Sequence, residues 1–217
     1  MDSSTRPSYP TRCEQCDKPM DSPIACSSCG ALTELPADAF NCFELFGVAP
    51  GFDIDLDALH RKYLQLSRLI HPDLTGAADE PDRRRSLMLS ARFNQAYEVL
   101  RHPVNRAEYL LRLAGGANCC EDKSVPEDLL GRILTLREQI DEAREEGRTE
   151  VLAELGSQTR ASRAAAMDRI AHLARVLAGG DSQPETCREL RQQLNAVKYW
   201  DSLLEQISAA RPDDPTQ

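Results

Sequence analysis

Four cysteines near the start of the chain form two C-x-x-C pairs, Cys13 with Cys16 and Cys26 with Cys29. A C-x-x-C turn lets two thiolates reach one metal ion, and two such turns complete a tetrahedral set of sulfur ligands. Gly30 directly follows the second pair and permits the close turn that such a knuckle uses. A segment this small needs a cross-link such as a metal ion to be ordered. The spacing therefore predicts one structural metal ion, expected to be zinc, with iron on the same four thiolates as an alternative.

The chain contains eight cysteines and lacks the basic-then-apolar start of a secretory signal, so a disulfide framework is not expected. A thioredoxin-like redox role is disfavoured, because no strand-then-helix pattern surrounds either C-x-x-C pair. The adjacent Cys119 and Cys120 lie in a glycine-containing stretch and receive no role. We expect a cytoplasmic protein, or one of the mitochondrial matrix if the source is a eukaryote.

His71-Pro72-Asp73 is the second group that could do chemistry. A histidine close to an aspartate can form an acid–base pair, so an enzyme that uses His71 and Asp73 is one interpretation. No nucleophile, glycine-rich phosphate loop or metal motif lies near the two residues to support hydrolysis. A turn between helices is the other interpretation, because Pro72 lacks a backbone N–H and disfavours a helical conformation at His71.

Both sides of this turn carry apolar residues at intervals of three and four. The two sets are Leu56, Leu59, Tyr63, Leu66 and Ile70 before the turn, and Leu89, Phe93, Ala96, Tyr97 and Leu100 after it. This spacing puts each set on one face of a helix, and two such helices predict an antiparallel hairpin. A short helix precedes them, with Asn41 and Glu44 spaced as a capping box and Gly47 as the stop.

The rest of the chain predicts three further helices joined by short connections, and hence an antiparallel bundle. The first is expected to start at Ser124-Val125-Pro126-Glu127, which reads as a capping box with proline in the first turn. The predicted fold class is all-α: a helical hairpin and then a three-helix bundle, preceded by a small cysteine-rich metal-binding segment. The predicted divisions are 1–39 for the metal-binding segment, 40–115 for the hairpin domain, 116–123 for a linker, 124–210 for the bundle and 211–217 for a tail.

The first bundle helix has more apolar surface than a bundle requires. Leu130 and Leu134 form a second stripe about 100° around the helix from the core stripe, and the polar Glu138 continues it. On the third bundle helix, Tyr199 lies off the core stripe. Two interpretations stay open: a wide buried stripe, or an exposed apolar patch with a polar rim that binds a partner.

Charge and hydropathy exclude several classes of protein. The net charge is −9, and no region offers the basic face that nucleic-acid binding needs. No run approaches the roughly 20 apolar residues needed to span a bilayer, so we expect no membrane association. The helix before His71 carries Arg61, Lys62 and Arg68, for which a solvated face is the ordinary interpretation.

Residues 41 to 113 resemble a J-domain, the module that activates DnaK-type chaperones. The resemblance depends on His71-Pro72-Asp73 between its two helices and on the stretch NQAYEVLRHPVNRAEYLL, which is most similar to the HscB family of iron–sulfur cluster co-chaperones. It implies a non-enzymatic adaptor that stimulates the ATPase of a DnaK/HscA-type chaperone and delivers the scaffold protein IscU to it. Some eukaryotic members of the family carry a similar N-terminal tetracysteine segment.

The resemblance also implies two contact surfaces. The chaperone contact comprises His71, Pro72, Asp73, Arg61, Lys62 and Arg68. The scaffold contact comprises Leu130, Leu134, Glu138 and Tyr199. Gly131 and Thr135 depart from the family pattern, which often has a larger apolar residue and an acid at these positions. A general J-type co-chaperone for unfolded clients is the alternative, although the Gly/Phe-rich segment and repeated C-x-x-C-x-G-x-G module of such proteins are missing from the sequence.

Overall fold

The computed structural model describes residues 12–20, 22–33, 40–70 and 80–209, with the backbone alone described at 80–83 and 85. This part of the chain contains seven helices: α1 (Cys42–Leu45), α2 (Leu56–Ile70), α3 (Glu80–Arg101), α4 (Pro103–Leu113), α5 (Leu129–Glu145), α6 (Thr149–Ala178) and α7 (Pro184–Ala209). Isolated antiparallel bridges join Arg12 to Pro19 and Ala25 to Leu32 in the cysteine-rich segment. The all-α fold class is confirmed.

The chain divides into two compact units, Met1–Arg106 and Ala107–Gln217, and the division lies within α4. The first unit holds the cysteine-rich segment and α1 to α3, and the second holds α5 to α7. The domain boundaries predicted from the sequence stay predictions. Among the helices described, none has the combination of length and apolar character that a membrane crossing requires.

The capping box predicted for α1 is present. The backbone N–H of Glu44 donates to Asn41 Oδ1 at 2.9 Å, and the backbone N–H of Asn41 donates to Glu44 Oε2 at 2.8 Å. The helix ends before Gly47, whose φ of 57° no β-branched residue adopts at low cost. Phe46 then stacks on Phe93 of α3 with ring centroids 4.4 Å apart, so α1 is held against the hairpin.

The predicted hairpin of α2 and α3 is confirmed, and aromatic rings stack across it. Tyr63 stacks on Tyr97 with ring centroids 4.1 Å apart and on Phe93 at 5.7 Å. The hydroxyl of Tyr63 donates to Asn94 Oδ1 at 3.1 Å, and the hydroxyl of Tyr97 lies 2.8 Å from His60 Nδ1. Stacked rings with satisfied hydroxyls fix the register of the two helices more closely than aliphatic packing would.

Helix α2 is described as Leu56–Ile70. The hydroxyl of Ser90 donates to the carbonyl of Ile70 at 3.0 Å, which ties the end of α2 to α3. Residues 71–73 lie outside the described residues. At the start of α2, the predicted apolar face is wrong for Leu56, because this first helical residue is exposed and the packed face begins at Leu59.

Helices α6 and α7 form a long antiparallel pair in the second unit. Their buried apolar residues include Leu152, Leu155, Ile170, Leu173, Leu177, Leu190, Leu194, Val197, Trp200, Leu203 and Ile207. At the edge of this pair, Arg169 donates two hydrogen bonds to Glu189 at 2.6 and 2.7 Å. This contact lowers the pKa of Glu189, because the carboxylate gains a charged donor. A second ion pair joins Arg163 of α6 to Asp201 of α7.

The predicted start of the first bundle helix is wrong. Helix α5 begins at Leu129, and its N-cap residue Asp128 makes no side-chain capping bond. Ser124 does not cap the helix, and its backbone groups form hydrogen bonds with other side chains. Its N–H donates to Asp122 Oδ1 at 2.8 Å, and its carbonyl accepts from Asn195 Nδ2 at 2.9 Å.

The segment between α4 and α5 is fixed to α7, although its composition reads as a linker. Arg191 of α7 is only 1% exposed and donates to the carbonyl of Ala117 at 2.9 Å. The same guanidinium forms a two-bond ion pair with Glu108 of α4, at 2.6 and 2.5 Å. A buried guanidinium needs such partners, so these contacts hold residues 108 to 124 in place.

Candidate functional site

The cysteine segment consists of two knuckles with the same backbone pattern. In the first, Cys13 N–H donates to the carbonyl of Lys18 and Asp17 N–H donates to the carbonyl of Cys13. In the second, Cys26 N–H and Gly30 N–H make the corresponding bonds at the same spacing, to the carbonyls of Ala31 and Cys26 respectively. The fifth residue of each knuckle has a positive φ, 54° at Asp17 and 77° at Gly30.

The two knuckles bring their four sulfur atoms together. All four Sγ atoms lie within 4.8 Å of one another. Two of the separations are 3.6 Å, between Cys13 and Cys29, and 3.7 Å, between Cys16 and Cys26. Sulfurs placed tetrahedrally about 2.3 Å from a zinc ion would be about 3.8 Å apart. The spacing fits four thiolates around one metal ion, and it is far too long for a disulfide bond.

The thiols of Cys26 and Cys29 differ in acidity. The pKa of Cys26 is lowered to about 7, because backbone N–H groups of Cys29 and Ser28 favour the thiolate over the opposing effect of burial. The pKa of Cys29 is raised to about 12. A backbone hydrogen bond at Ala31 favours its thiolate, but burial and the neighbouring cysteines outweigh that bond. The negative charge of one thiolate disfavours ionisation of a neighbouring thiol. A divalent cation bound among the sulfurs would offset this repulsion.

The cysteine segment packs against the helices of its own unit. The buried hydroxyl of Ser22 donates to the carbonyl of Leu45 at 3.1 Å, and Ile24 beside it is almost completely buried. In the second knuckle, a Cβ placed on Gly30 would lie 3.6 Å from Cδ2 of Leu69. The second knuckle therefore lies beside the end of α2, which immediately precedes His71 in the sequence.

The structure describes part of the expected chaperone contact. Arg61 and Arg68 are exposed on α2, seven residues apart and therefore on one side of the helix, while Lys62 is half-buried. His71, Pro72 and Asp73 lie outside the described residues.

The two leucines expected at the scaffold contact are on the surface. Leu130 is 48% exposed and Leu134 is 61% exposed, so they do not belong to a wide buried stripe. Glu138, one turn further along α5, is also exposed. Their neighbours Leu129 and Ile133 are buried, so α5 has a core stripe and a separate apolar surface stripe.

Tyr199 of α7 is half-buried and lines a groove of about 380 Å³. The same groove is lined by Cys119 and by the cations Lys123, Arg137 and Lys198. Sequence reasoning missed these cations, because they come from three separate stretches of the chain and only the fold brings them together.

Comparison with known proteins gives the family. Residues 125–208 match the family described as the HSCB C-terminal oligomerisation domain. The co-chaperone protein HscB homolog of Neisseria gonorrhoeae is 31% identical over 169 residues, which cover 77% of this chain and 97% of that protein. The homolog of Pseudoalteromonas atlantica is 39% identical over 104 residues, 48% of this chain and 59% of that protein.

Solved structures agree with the sequence relatives. Human co-chaperone HscB aligns with a TM-score of 0.68 at 25% identity, over 91% of this chain and 97% of that one. Chaperone HscB from Vibrio cholerae aligns with a TM-score of 0.61 at 26% identity, over 78% and 96%. The two bacterial sequence relatives and the human protein are named as co-chaperones, a non-enzymatic family. With a relative matched over nearly its whole length and the same fold in two solved structures, the chain belongs to the HscB family of co-chaperones.

Proposed function

We propose that this protein is a J-type co-chaperone of iron–sulfur cluster assembly, which stimulates the ATPase of a DnaK/HscA-type chaperone and delivers an IscU-type scaffold to it. The observation that carries the proposal is the exposed leucine pair on α5. Two large apolar side chains on the outside of a well-packed bundle mark a partner surface, and in this family that surface is the expected scaffold contact.

The chaperone contact is assigned to His71, Pro72 and Asp73, with Arg61, Lys62 and Arg68 as its electrostatic part. Support comes from the hairpin that precedes the turn. The Ser90 hydroxyl binds the last residue of α2 and the stacked aromatic rings hold its middle, so the helix that precedes His71 in sequence is fixed against α3. The exposed arginines lie on the same helix and can steer an acidic partner surface.

We expect His71→Gln to abolish stimulation of the chaperone ATPase while the helical circular dichroism stays unchanged. The measurement is single-turnover ATP hydrolysis by the chaperone with increasing co-chaperone. His172→Gln is the matched control, since His172 is an exposed histidine on α6 of the other unit. Full stimulation by a folded His71→Gln protein would remove this residue from the contact.

We expect Leu130→Ala/Leu134→Ala to weaken scaffold binding at least about tenfold, because central apolar anchors each contribute roughly 1–2 kcal/mol. The free energy of unfolding should change by less than about 0.5 kcal/mol per exposed residue. Calorimetric titration with the scaffold measures the affinity, and thermal melts measure the change in stability.

Leu87→Ala/Met88→Ala is the matched control for the leucine pair. These two α3 residues are as exposed as the leucine pair. The control should leave the scaffold affinity unchanged. A large fall in melting temperature for the leucine variant, with normal affinity in the folded fraction, would contradict the interface.

The cysteine cluster is assigned to zinc, held by Cys13, Cys16, Cys26 and Cys29. A bound zinc ion would cross-link the two knuckles and supply no redox chemistry. Four sulfur ligands without histidine or water make a closed, structural site. The assignment is supported by the sulfur spacing and by the burial of Ser22 and Ile24 against the helices.

A further inference from the structure

We propose that the groove around Tyr199 binds a carboxylate-bearing segment of the scaffold protein, beside the apolar contact at Leu130 and Leu134. The inference rests on the proposed function and adds the chemistry of the partner's side. It assigns Lys123, Arg137 and Lys198 to recognition of that acidic segment.

Among the residues that the structure describes, the three cations of the groove are not joined to an acid. Lys123, Arg137 and Lys198 form no ion pair with any carboxylate in the described part of the chain, and no aspartate or glutamate lines the groove. Elsewhere in the same unit, cations pair with acids across helices, as Arg169 does with Glu189. In a chain with a net charge of −9, three unpaired cations in one groove give a local positive potential.

Two acids close in sequence to these cations accept hydrogen bonds from the protein, and the exposed Glu138 beside Arg137 does not line the groove. Asp122, next to Lys123, accepts the backbone N–H of Ser124 at 2.8 Å. Asp141, one turn after Arg137, accepts from Gln206 Nε2 at 3.0 Å. Neither Asp122 nor Asp141 lines the groove, so within its lining a partner's carboxylate would meet cations and neutral side chains.

The wall of the groove is held in place by buried hydrogen bonds. Asn195 Nδ2 donates to the carbonyls of Asp122 and Ser124, the two residues that flank Lys123. Arg191 holds the same segment through Ala117. A fixed wall lowers the ordering cost of binding, which distinguishes this groove from a chance gathering of surface lysines.

The groove continues the leucine surface along α5. Arg137 lies three residues after Leu134 and seven after Leu130, so all three side chains lie on one side of the helix. A partner that covers the leucines therefore reaches Arg137, and Tyr199 and Lys198 of α7 lie across the groove. The leucines supply apolar contact, and the cations supply attraction and register.

The test is calorimetric titration of the full chain with an IscU-type scaffold at 50 and 300 mM NaCl. We expect Arg137→Glu and Lys198→Glu each to weaken binding roughly tenfold at low salt, with a smaller loss at high salt because ions screen exposed charges. Arg160→Glu is the control, since Arg160 is exposed on α6 away from the groove, and its effect should stay below about twofold. Thermal melts verify that each variant is folded.

A rescue experiment identifies the partner group. A scaffold Asp→Lys or Glu→Lys variant that restores binding to Arg137→Glu locates the carboxylate that the groove receives. Unchanged affinity of both charge reversals, while Leu130→Ala/Leu134→Ala still weakens binding, overturns the groove and leaves the proposed function standing. No binding by the unaltered chain overturns the proposed function itself.

Discussion

Asp17 and Gly30 occupy equivalent positions in the two knuckles, and both need a positive φ. Glycine adopts this conformation without strain, and aspartate is among the few other residues that tolerate it. Arg12 donates to the carbonyl and the carboxylate of Asp17, but both side chains are exposed, so this ion pair contributes little. The backbone conformation of Asp17 is therefore its main contribution to the metal site.

Substitutions at Asp17 should separate conformation from charge. We expect Asp17→Gly and Asp17→Asn to release the metal no faster than the unaltered protein, because both residues tolerate a positive φ. Asp17→Val should release it roughly ten times faster, since a β-branched residue in this conformation costs about 1–2 kcal/mol. The measurement is the rate of metal transfer to a chromogenic chelator. Equal rates for Asp17→Val and Asp17→Asn would contradict the argument.

Site residues could be predicted where the spacing of neighbouring residues in the sequence determines their geometry. The pairs Cys13/Cys16 and Cys26/Cys29 could be found from the sequence because the length of a C-x-x-C turn fixes ligand geometry. Arg191 could not, since its burial depends on Glu108 and Ala117, which lie more than 70 residues away in sequence.

The start of a helix could be predicted from the sequence where its capping residues bond only to each other. Asn41 and Glu44 make reciprocal bonds that need no tertiary partner, so the capping box of α1 was predictable. Ser124 has the same signature, but Asn195 and Asp122 take its backbone groups, and α5 starts five residues later. A cap signature is thus overridden when distant side chains compete for the same backbone.

The packing of α6 on α7 includes a glycine that the helix does not require. A Cβ on Gly156 would lie 3.5 Å from Cγ2 of Ile207 and 3.3 Å from the mobile guanidinium end of Arg160. Gly156→Ala should therefore stabilise the second unit by up to about 1 kcal/mol, since alanine has the higher helix propensity and only a flexible side chain must shift. Thermal denaturation measures this as a rise of a few degrees.

A larger residue at Gly156 should reverse the effect. Leucine has no space against Ile207, so Gly156→Leu should lower the melting temperature. Gly131 provides the comparison, because nothing lies within 4 Å of its Cβ position on α5. Gly131→Ala and Gly131→Leu should both be stabilising. A destabilising Gly156→Ala would show that the two helices are packed too closely for a methyl group.

At the scale of the whole molecule, the two units differ in what orders them. The second unit has a long helix pair with an extensive buried apolar surface. The first adds a segment with little core of its own, joined to the helices through Ser22, Ile24 and the contact of Gly30 with Leu69. The all-α class and the number of bundle helices could be predicted from periodicity. The division within α4 could not, since no composition change marks it.

Metal removal should therefore affect the first unit selectively. We expect Cys13→Ser/Cys16→Ser to lose the metal, measured by elemental analysis, and to show an earlier circular-dichroism transition, because two ligands leave the sulfur shell half empty. Trp200 is the only tryptophan of the chain and is buried in the second unit, so its fluorescence reports that unit alone. Its transition should stay unchanged, and Cys119→Ser/Cys120→Ser should alter neither signal. An equal shift in both signals would contradict selective destabilisation.

The contacts of Arg191 with Glu108 and Ala117 determine where the second unit can be cut. The stretch that matches the family's C-terminal domain starts at residue 125, yet Arg191 takes its partners from Glu108 and Ala117, which precede it. A fragment cut at that homology boundary would lack both groups that bind the Arg191 guanidinium, and we expect it to be less stable than a fragment that retains them. The stretch that matches the family domain is therefore shorter than the stretch that Arg191 holds together. Recombination at the boundary of the matching stretch would separate Arg191 from Glu108 and Ala117.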